Sequence, residues 1–359
     1  MNPFLFEIPI VGWTVKGYGL MLMIGFLLGV WLAARRAMKC KADPDMVLNV
    51  GFVALICGII GARLWYFVQY YSEGFAHRSL LPAFFDCAGG GLTFYGGLLG
   101  GLGGILVYLL LKRVSLRLYL DIIAPSLVLG LAFGRIGCFL NGCCFGDVCA
   151  DREGHRRVPW TVTFPYGSPA HRFQWQRLQT DLPKELVVVS EVGWGSVINR
   201  EAIYDPPTTQ QIEKLKAIEN PRKRAKELAP FTALLGQAHR WKMTPDELAE
   251  LASQYRSLPV QPTQLYSCIN ALMISLILSI LFTRRRRHGI LVSWTFILYG
   301  ISRFILEQIR TEPHDVWIFT NAQAVSVVLV VLGLILLVIL RCLPLTSPRA
   351  VPVVLPEAE

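Results

Sequence analysis

Five stretches of this chain, residues 18–34, 47–62, 92–111, 263–283 and 321–340, run for 16 to 21 residues without a charged side chain. An α-helix needs about 20 mostly apolar residues to cross the hydrocarbon core of a bilayer. Two further stretches have the same length and character but carry charge. Residues 118–140 contain Asp121 and Arg135, and residues 289–309 contain Arg303 and Glu307. Beside five uncharged neighbours they read as spans too, which predicts seven transmembrane helices. Only 17% of the residues are charged and 53% are hydrophobic, against about 25% charged in an ordinary soluble domain. That balance excludes a disordered chain, a collagen and a coiled coil, and it argues against one soluble domain. The 31 glycines follow no fixed period and suit close helix packing in lipid.

Charge placement sets the expected orientation, because basic residues collect in cytoplasmic loops. Arg35, Arg36, Lys39 and Lys41 follow the first stretch. Lys112, Arg113 and Arg117 follow the third, Arg284–Arg287 the fifth, and Arg341 and Arg349 the seventh. The opposite connections, leaving out one long loop, hold only Lys16 and Arg78. The pattern predicts an outside N-terminus and a cytoplasmic C-terminus. It also accounts for the net charge of +10 without nucleic acid as a partner. Arg284–Arg287 reads as a positive-inside anchor that also meets anionic lipid. Residues 1–16 carry Glu7 and no basic cluster, so the first span is expected to be retained rather than removed as a secretory signal.

The long loop, residues 143–262, holds 16 Lys and Arg against 14 Asp and Glu. It reads as an enlarged extracytoplasmic head between helices four and five. An exposed helix is expected over 208–228, and a second after Thr244, where Thr-Pro-Asp-Glu supplies a cap and early acids. Short strands are expected at 158–164 and 186–189. The expected organisation is therefore helices one to four in 1–142, the head in 143–262, helices five to seven in 263–343 and a cytoplasmic tail in 344–359.

Subtracting loops and head leaves four basic residues in or at the ends of spans: Arg63, Arg135, Arg303 and Arg310. On insertion scales an arginine at mid-membrane costs about 3 kcal/mol. Snorkelling to the headgroups is one explanation for such residues. Their place at the outer ends of helices two, four and six points instead to an anion site. On helix six, Arg303, Glu307 and Arg310 fall on one stripe. That stripe is either a structural ion triad or a clamp with net positive charge. Paired phosphate oxygens suit the planar guanidinium fork, and the abundant anion of a membrane is lipid phosphate. Glycines at 89–91, 96 and 97, and at 134, 137, 142 and 146, permit close approach of a backbone or a headgroup. Asn141 offers a donor and an acceptor beside them.

The run Gly134-Arg135-Ile136-Gly137-Cys138-Phe139-Leu140-Asn141, with Gly146, resembles the signature of the phosphatidylglycerol–prolipoprotein diacylglyceryl transferases, G-R-x-G-N-F-x-N-x-E-x-x-G. Gly17-Tyr18-Gly19-Leu20, Gly61-Ala62-Arg63-Leu64, Gly90-Gly91-Leu92-Thr93-Phe94-Tyr95-Gly96-Gly97, Pro262-Thr263-Gln264-Leu265-Tyr266 and Arg303-Phe304-Ile305-Leu306-Glu307 with Arg310 are similar to the other family motifs, in order. The resemblance implies a seven-span enzyme of the bacterial inner membrane. Such an enzyme transfers the diacylglyceryl group of phosphatidylglycerol to the lipobox cysteine of a prolipoprotein and releases glycerol phosphate. It implies Arg135, Arg303 and Tyr95 as catalytic residues. It implies Tyr18, Arg63, Gly96, Gly97, Arg135, Asn141, Gly146, Gln264, Tyr266, Glu307 and Arg310 as the lipid-binding set, with no cofactor and no metal. The chain departs from the family pattern at Cys138 (usually Asn), Cys143 (usually Glu) and Tyr95 (often His), and its head is longer. A polytopic anion or lipid transporter, or a lipid-binding homologue without activity, remain the alternatives.

The chemistry requires a stabilised leaving phosphate and a thiolate nucleophile. Tyr95 or a lipid phosphate oxygen would take the thiol proton. Cys138, Cys143, Cys144 and Cys149 cluster in sequence. Free thiols, a disulfide from Cys149 to Cys143 or Cys144, and a metal site are all open, although the spacing matches no zinc pattern.

Overall fold

In a computed structural model, the description covers residues 4–8, 13–70, 93–150, 156–177, 179–189, 195–198, 202–203, 209–218, 228–229, 231–310, 320–347 and 349–350. The expected apolar stretches are helices α1 (Gly17–Lys39), α2 (Pro44–Gln69), α3 (Phe94–Leu111) and α4 (Leu116–Asn141). Between α4 and the next long helix lie the short helices α5 (Pro169–Gln176), α6 (Thr209–Lys216), α7 (Thr232–Trp241) and α8 (Pro245–Gln254). Helices α9 (Thr263–Arg284), α10 (Ile290–Glu307) and α11 (Asn321–Cys342) complete the chain. Six of the long helices have the length and composition to cross a membrane, and the apolar part of α3 (Tyr95–Leu111) is shorter. Large apolar side chains such as Met23, Leu27 and Trp31 on α1 and Val328, Leu334 and Val338 on α11 are exposed. Exposed apolar surface on this scale belongs in lipid. The fold is mostly helical, with two small antiparallel pairs. Strand β1 (Phe4–Ile8) pairs with β2 (Trp13–Lys16), and β3 (Val187–Val189) with β4 (Gly195–Val197).

The chain folds as two compact units. The first comprises Met1–Leu22, Gly134–Cys268 and Ile305–His314; the second comprises Met23–Phe133, Ile269–Phe304 and Asp315–Glu359. The second unit is built on a cluster that includes Ala33, Ala37, Val50, Leu109, Ile122, Phe282 and Leu291. Its α2 and α3 approach backbone to backbone. A Cβ on Gly61 would lie 2.8 Å from the Gly100 Cα, and one on Gly96 would collide with the Gly61 carbonyl and the Trp65 side chain. Thr93 donates from both its N–H (3.2 Å) and its hydroxyl (3.1 Å) to the Ala62 carbonyl. Two of the family-like motifs are thus packed against each other.

The buried charge of span four has a structural partner. Asp121 is fully buried and accepts hydrogen bonds from the backbone N–H groups of Gly289 (2.7 Å), Leu291 (3.0 Å) and Val292 (3.3 Å). It therefore caps the otherwise orphaned N–H groups that open α10. Arg285 lies 3.7 Å away. Arg36, counted above as a loop residue, is helical and half-buried. Its guanidinium donates to the Ser126 (2.7 Å) and Ser279 (2.9 Å) hydroxyls. The uncharged run ends at residue 34 but the helix continues to Lys39, so this cation is intrahelical.

The 143–262 segment, within the first unit, has its own core of Tyr166, Leu186, Ile198, Leu234, Ala238, Leu248 and Ala252. The expected cap on α8 is present, and Thr244 and Glu247 form a full capping box. Of the helix expected over 208–228, the described residues hold α6; residues 208 and 219–227 lie outside them. The strand expected at 158–164 is replaced by isolated pairings, Val162 with Val260 and Pro165 with Arg256. The neighbour of Val162 is a loop with Pro259 and Pro262 close by, and proline interrupts a ladder.

Candidate active site

Helix α4 ends as its sequence dictates. Gly142 takes φ +79°, where a Cβ would meet the Phe164 ring at 2.9 Å. The Gly142 N–H donates to the Phe139 carbonyl (3.2 Å) and the Cys143 N–H to the Cys138 carbonyl (3.1 Å). These are the two bonds of a Schellman stop, which favours glycine at that position. The next residues form a loop held on two sides. On one side, Gln264 Nε2 donates to the Cys143 carbonyl (2.7 Å) and the Thr263 hydroxyl to the Cys144 carbonyl (2.8 Å). On the other, Gly146 pairs with Arg310, and the Asp147 N–H donates to the Ile309 carbonyl (3.1 Å). Gly146 has no room for a side chain: a Cβ would sit 2.6 Å from Thr263 and 2.8 Å from the Ile309 carbonyl.

This loop gathers much of the predicted set. Arg310 extends past the end of α10 and pairs with Glu307 at 3.5 Å; both side chains are buried. Arg135 and Arg310 both act electrostatically on Cys144. Hydrogen bonds from the Cys138 and Cys143 thiols hold the Cys144 thiol well below its ordinary value, and the two arginines add to the effect against the opposing pull of burial. Tyr18 packs on α4, where a Cβ at Gly137 would come within 3.0 Å of its ring, and it lies in the field of Arg135 and the three cysteines. The Asn141 side chain is within hydrogen-bonding reach of the Cys143 thiol. Tyr266 is half-buried on the first turn of α9. Gln264 is fully buried, and its Oε1 has no hydrogen-bond partner among the described residues. With Nε2 committed to a carbonyl, that oxygen is oriented as an acceptor.

The remaining predicted residues lie in the second unit. Arg63 is buried on α2, its guanidinium 5.5 Å from the Tyr66 ring centre. Tyr95 opens α3 with 57% of its surface exposed. Gly96 is where α2 and α3 touch, and Gly97 faces the Ala62 side chain, so the structure gives both a packing role. Arg303 is half-buried on α10. Two features were missed in sequence. One is Thr263, whose hydroxyl fixes the loop. The other is which of the clustered cysteines converge: the Sγ atoms of Cys138, Cys143 and Cys144 all lie within 4.8 Å of one another. The five-residue step from Cys138 to Cys143 across an Asn-Gly helix stop was the available signal. Cys143, Cys144 and Cys149 are free thiols.

Long apolar helices fit to cross a membrane, one of them closed by a loop that pairs with Arg310, define a multi-pass membrane protein. The prolipoprotein diacylglyceryl transferase family model matches residues 3–339. The chain belongs to that family. It is 30% identical to the phosphatidylglycerol–prolipoprotein diacylglyceryl transferase of Rhodopirellula baltica, over 92% of this chain and 73% of the relative. It is 27% identical to the enzyme of the same name from Proteus mirabilis, over 94% of this chain and 91% of the relative.

Proposed function

We propose that this chain transfers the diacylglyceryl group of phosphatidylglycerol to the thiol of a prolipoprotein lipobox cysteine, in the bacterial inner membrane. The acceptor sulfur forms a bond to the terminal carbon of the diacylglyceryl group. The carbon–oxygen bond to phosphate breaks, glycerol phosphate leaves, and the thiol proton passes to a base. The observation that carries this reading is that Arg135 and Arg310 both act on Cys144 in the loop that closes α4, with Glu307 bracing Arg310. Charge grows on the phosphate as the bond breaks, and fixed guanidinium groups in a water-poor site favour that state over the ground state.

Arg135, Arg303 and Tyr95 are proposed as catalytic residues, the arginines on the phosphate, with Tyr95 or a lipid phosphate oxygen taking the thiol proton. Tyr18, Arg63, Gly96, Gly97, Asn141, Gly146, Gln264, Tyr266, Glu307 and Arg310 are proposed to bind or frame the lipid. The buried, unpartnered Oε1 of Gln264 suits a headgroup hydroxyl, which the glycerol of phosphatidylglycerol supplies and a choline headgroup does not. We place seven helices across the membrane, the N-terminus outside, the C-terminus in the cytoplasm, and residues 143–262 as an extracytoplasmic head. The test is complementation of a strain depleted of its own transferase. The wild-type chain restores growth and lipoprotein maturation, and Arg135→Lys does not. Failure of the correctly inserted wild-type chain overturns the assignment.

A further inference from the structure

Cys138, on the last turn of α4, and Cys143 and Cys144, in the loop that closes it, come together where the helix ends, and no step of the transfer uses them. Their Sγ atoms lie within 4.8 Å of one another. Three thiolates on one zinc-like ion, each about 2.3 Å from the metal, stand about 4 Å apart, so modest side-chain rotation closes the set. The backbone is already committed to this arrangement. Cys143 follows a glycine at φ +79°, and Cys144 itself is held at φ +57°, a region non-glycine residues seldom occupy. Gln264 and Thr263 clamp the carbonyls of Cys143 and Cys144, so the strained turn is fixed from outside the cluster. Arg135 and Arg310 act on Cys144, and their two positive charges offset the excess negative charge of three thiolates around one cation.

We propose that Cys138, Cys143 and Cys144 bind one thiophilic d10 cation, Zn(II) or Cu(I), through three thiolates. Soft sulfur ligands select these ions over Mg(II) or Ca(II). Each thiol releases its proton to solvent on ligation. Three protein ligands complete a trigonal Cu(I) centre. They leave one position of a tetrahedral Zn(II) centre open to an exogenous donor such as water or a thiol. The site depends on these cysteines alone and stands whether or not the chain transfers lipid.

The test uses the full-length chain in detergent, reduced, stripped of metal and titrated anaerobically with Co(II) as a spectroscopic stand-in for zinc. One equivalent is expected to produce a sulfur-to-cobalt charge-transfer band. Cys138→Ser, Cys143→Ser and Cys144→Ser each abolish or strongly weaken the band, and Cys149→Ser keeps it. Zn(II) displacing the cobalt at one equivalent assigns zinc. One equivalent of Cu(I) held against a chromophoric chelator, with Zn(II) failing to displace cobalt, assigns copper. Should the serine variants misfold, thermal unfolding of the wild-type chain gives an independent reading, because an ion bound only by the folded state raises Tm. A wild-type chain with neither band, nor Cu(I) retention, nor ion-dependent Tm overturns the proposal. A band that survives all three serine replacements overturns it as well.

Discussion

Glu307 is completely buried and faces Arg310 at 3.5 Å. Removing one member of a buried pair leaves the other charge uncompensated at a cost of about 3 kcal/mol or more. Glu307→Gln should therefore lower Tm in detergent and reduce transfer together. Arg310→Ala, which removes a charge proposed to bind the lipid phosphate, should cost about 100-fold or more in rate while the chain still inserts. Full activity in Arg310→Ala would end its role at the phosphate. His171 supplies a pH test away from the site. Burial, with Arg172 adding, lowers its pKa from 6.5 to about 4, and its ring sits 5.2 Å from that of Tyr166. The folded head thus holds it neutral while the unfolded chain protonates near 6.5. Its contribution is complete above pH 6.5 and is lost as pH falls from 6.5 towards 4, by up to about 3 kcal/mol. Hydrogen exchange of the head should quicken over that window, and His171→Gln should flatten the dependence. An unchanged slope in the variant would place the titration elsewhere.

At the level of elements, the long helices were legible because an uncharged run near 20 residues has few other fates. Their functions as packing partners were less so. Asp121 read only as an interruption of span four, because the first N–H it caps, that of Gly289, lies 168 residues later and no local pattern links the two. Asp121→Ala should strand the N–H groups of Gly289, Leu291 and Val292 and destabilise the second unit by about 3 kcal/mol. An unchanged Tm would deny the cap. The glycines of α2 and α3 read equally well as headgroup neighbours or as packing, and backbone proximity decides for packing at Gly61 and Gly100. Gly100→Leu should overpack that seam by about 2 kcal/mol, seen as a lower Tm. The 158–164 strand failed because hydrophobic alternation specifies an extended segment but not a neighbour to pair with. The cysteines read as a cluster that included Cys149, and the narrower set of Cys138, Cys143 and Cys144 was not legible because their meeting depends on the Schellman turn at Gly142.

Across the whole molecule, basic loops predict the orientation through a rule that acts on insertion rather than on the folded state. A reporter fused after Arg287 should read cytoplasmic, and one placed within 213–226 should read extracytoplasmic. The reverse at either position would overturn the seven-span arrangement. Substrate chemistry is tested more directly by mass. The purified chain, in bilayers of phosphatidylglycerol with deuterated acyl chains, is given a lipobox peptide. The account predicts that the peptide gains one labelled diacylglyceryl unit at its cysteine, with one glycerol phosphate released per peptide, and that Arg310→Ala yields little of either. An inserted, folded wild-type chain that leaves the peptide mass unchanged, or that labels it without releasing glycerol phosphate, would contradict it.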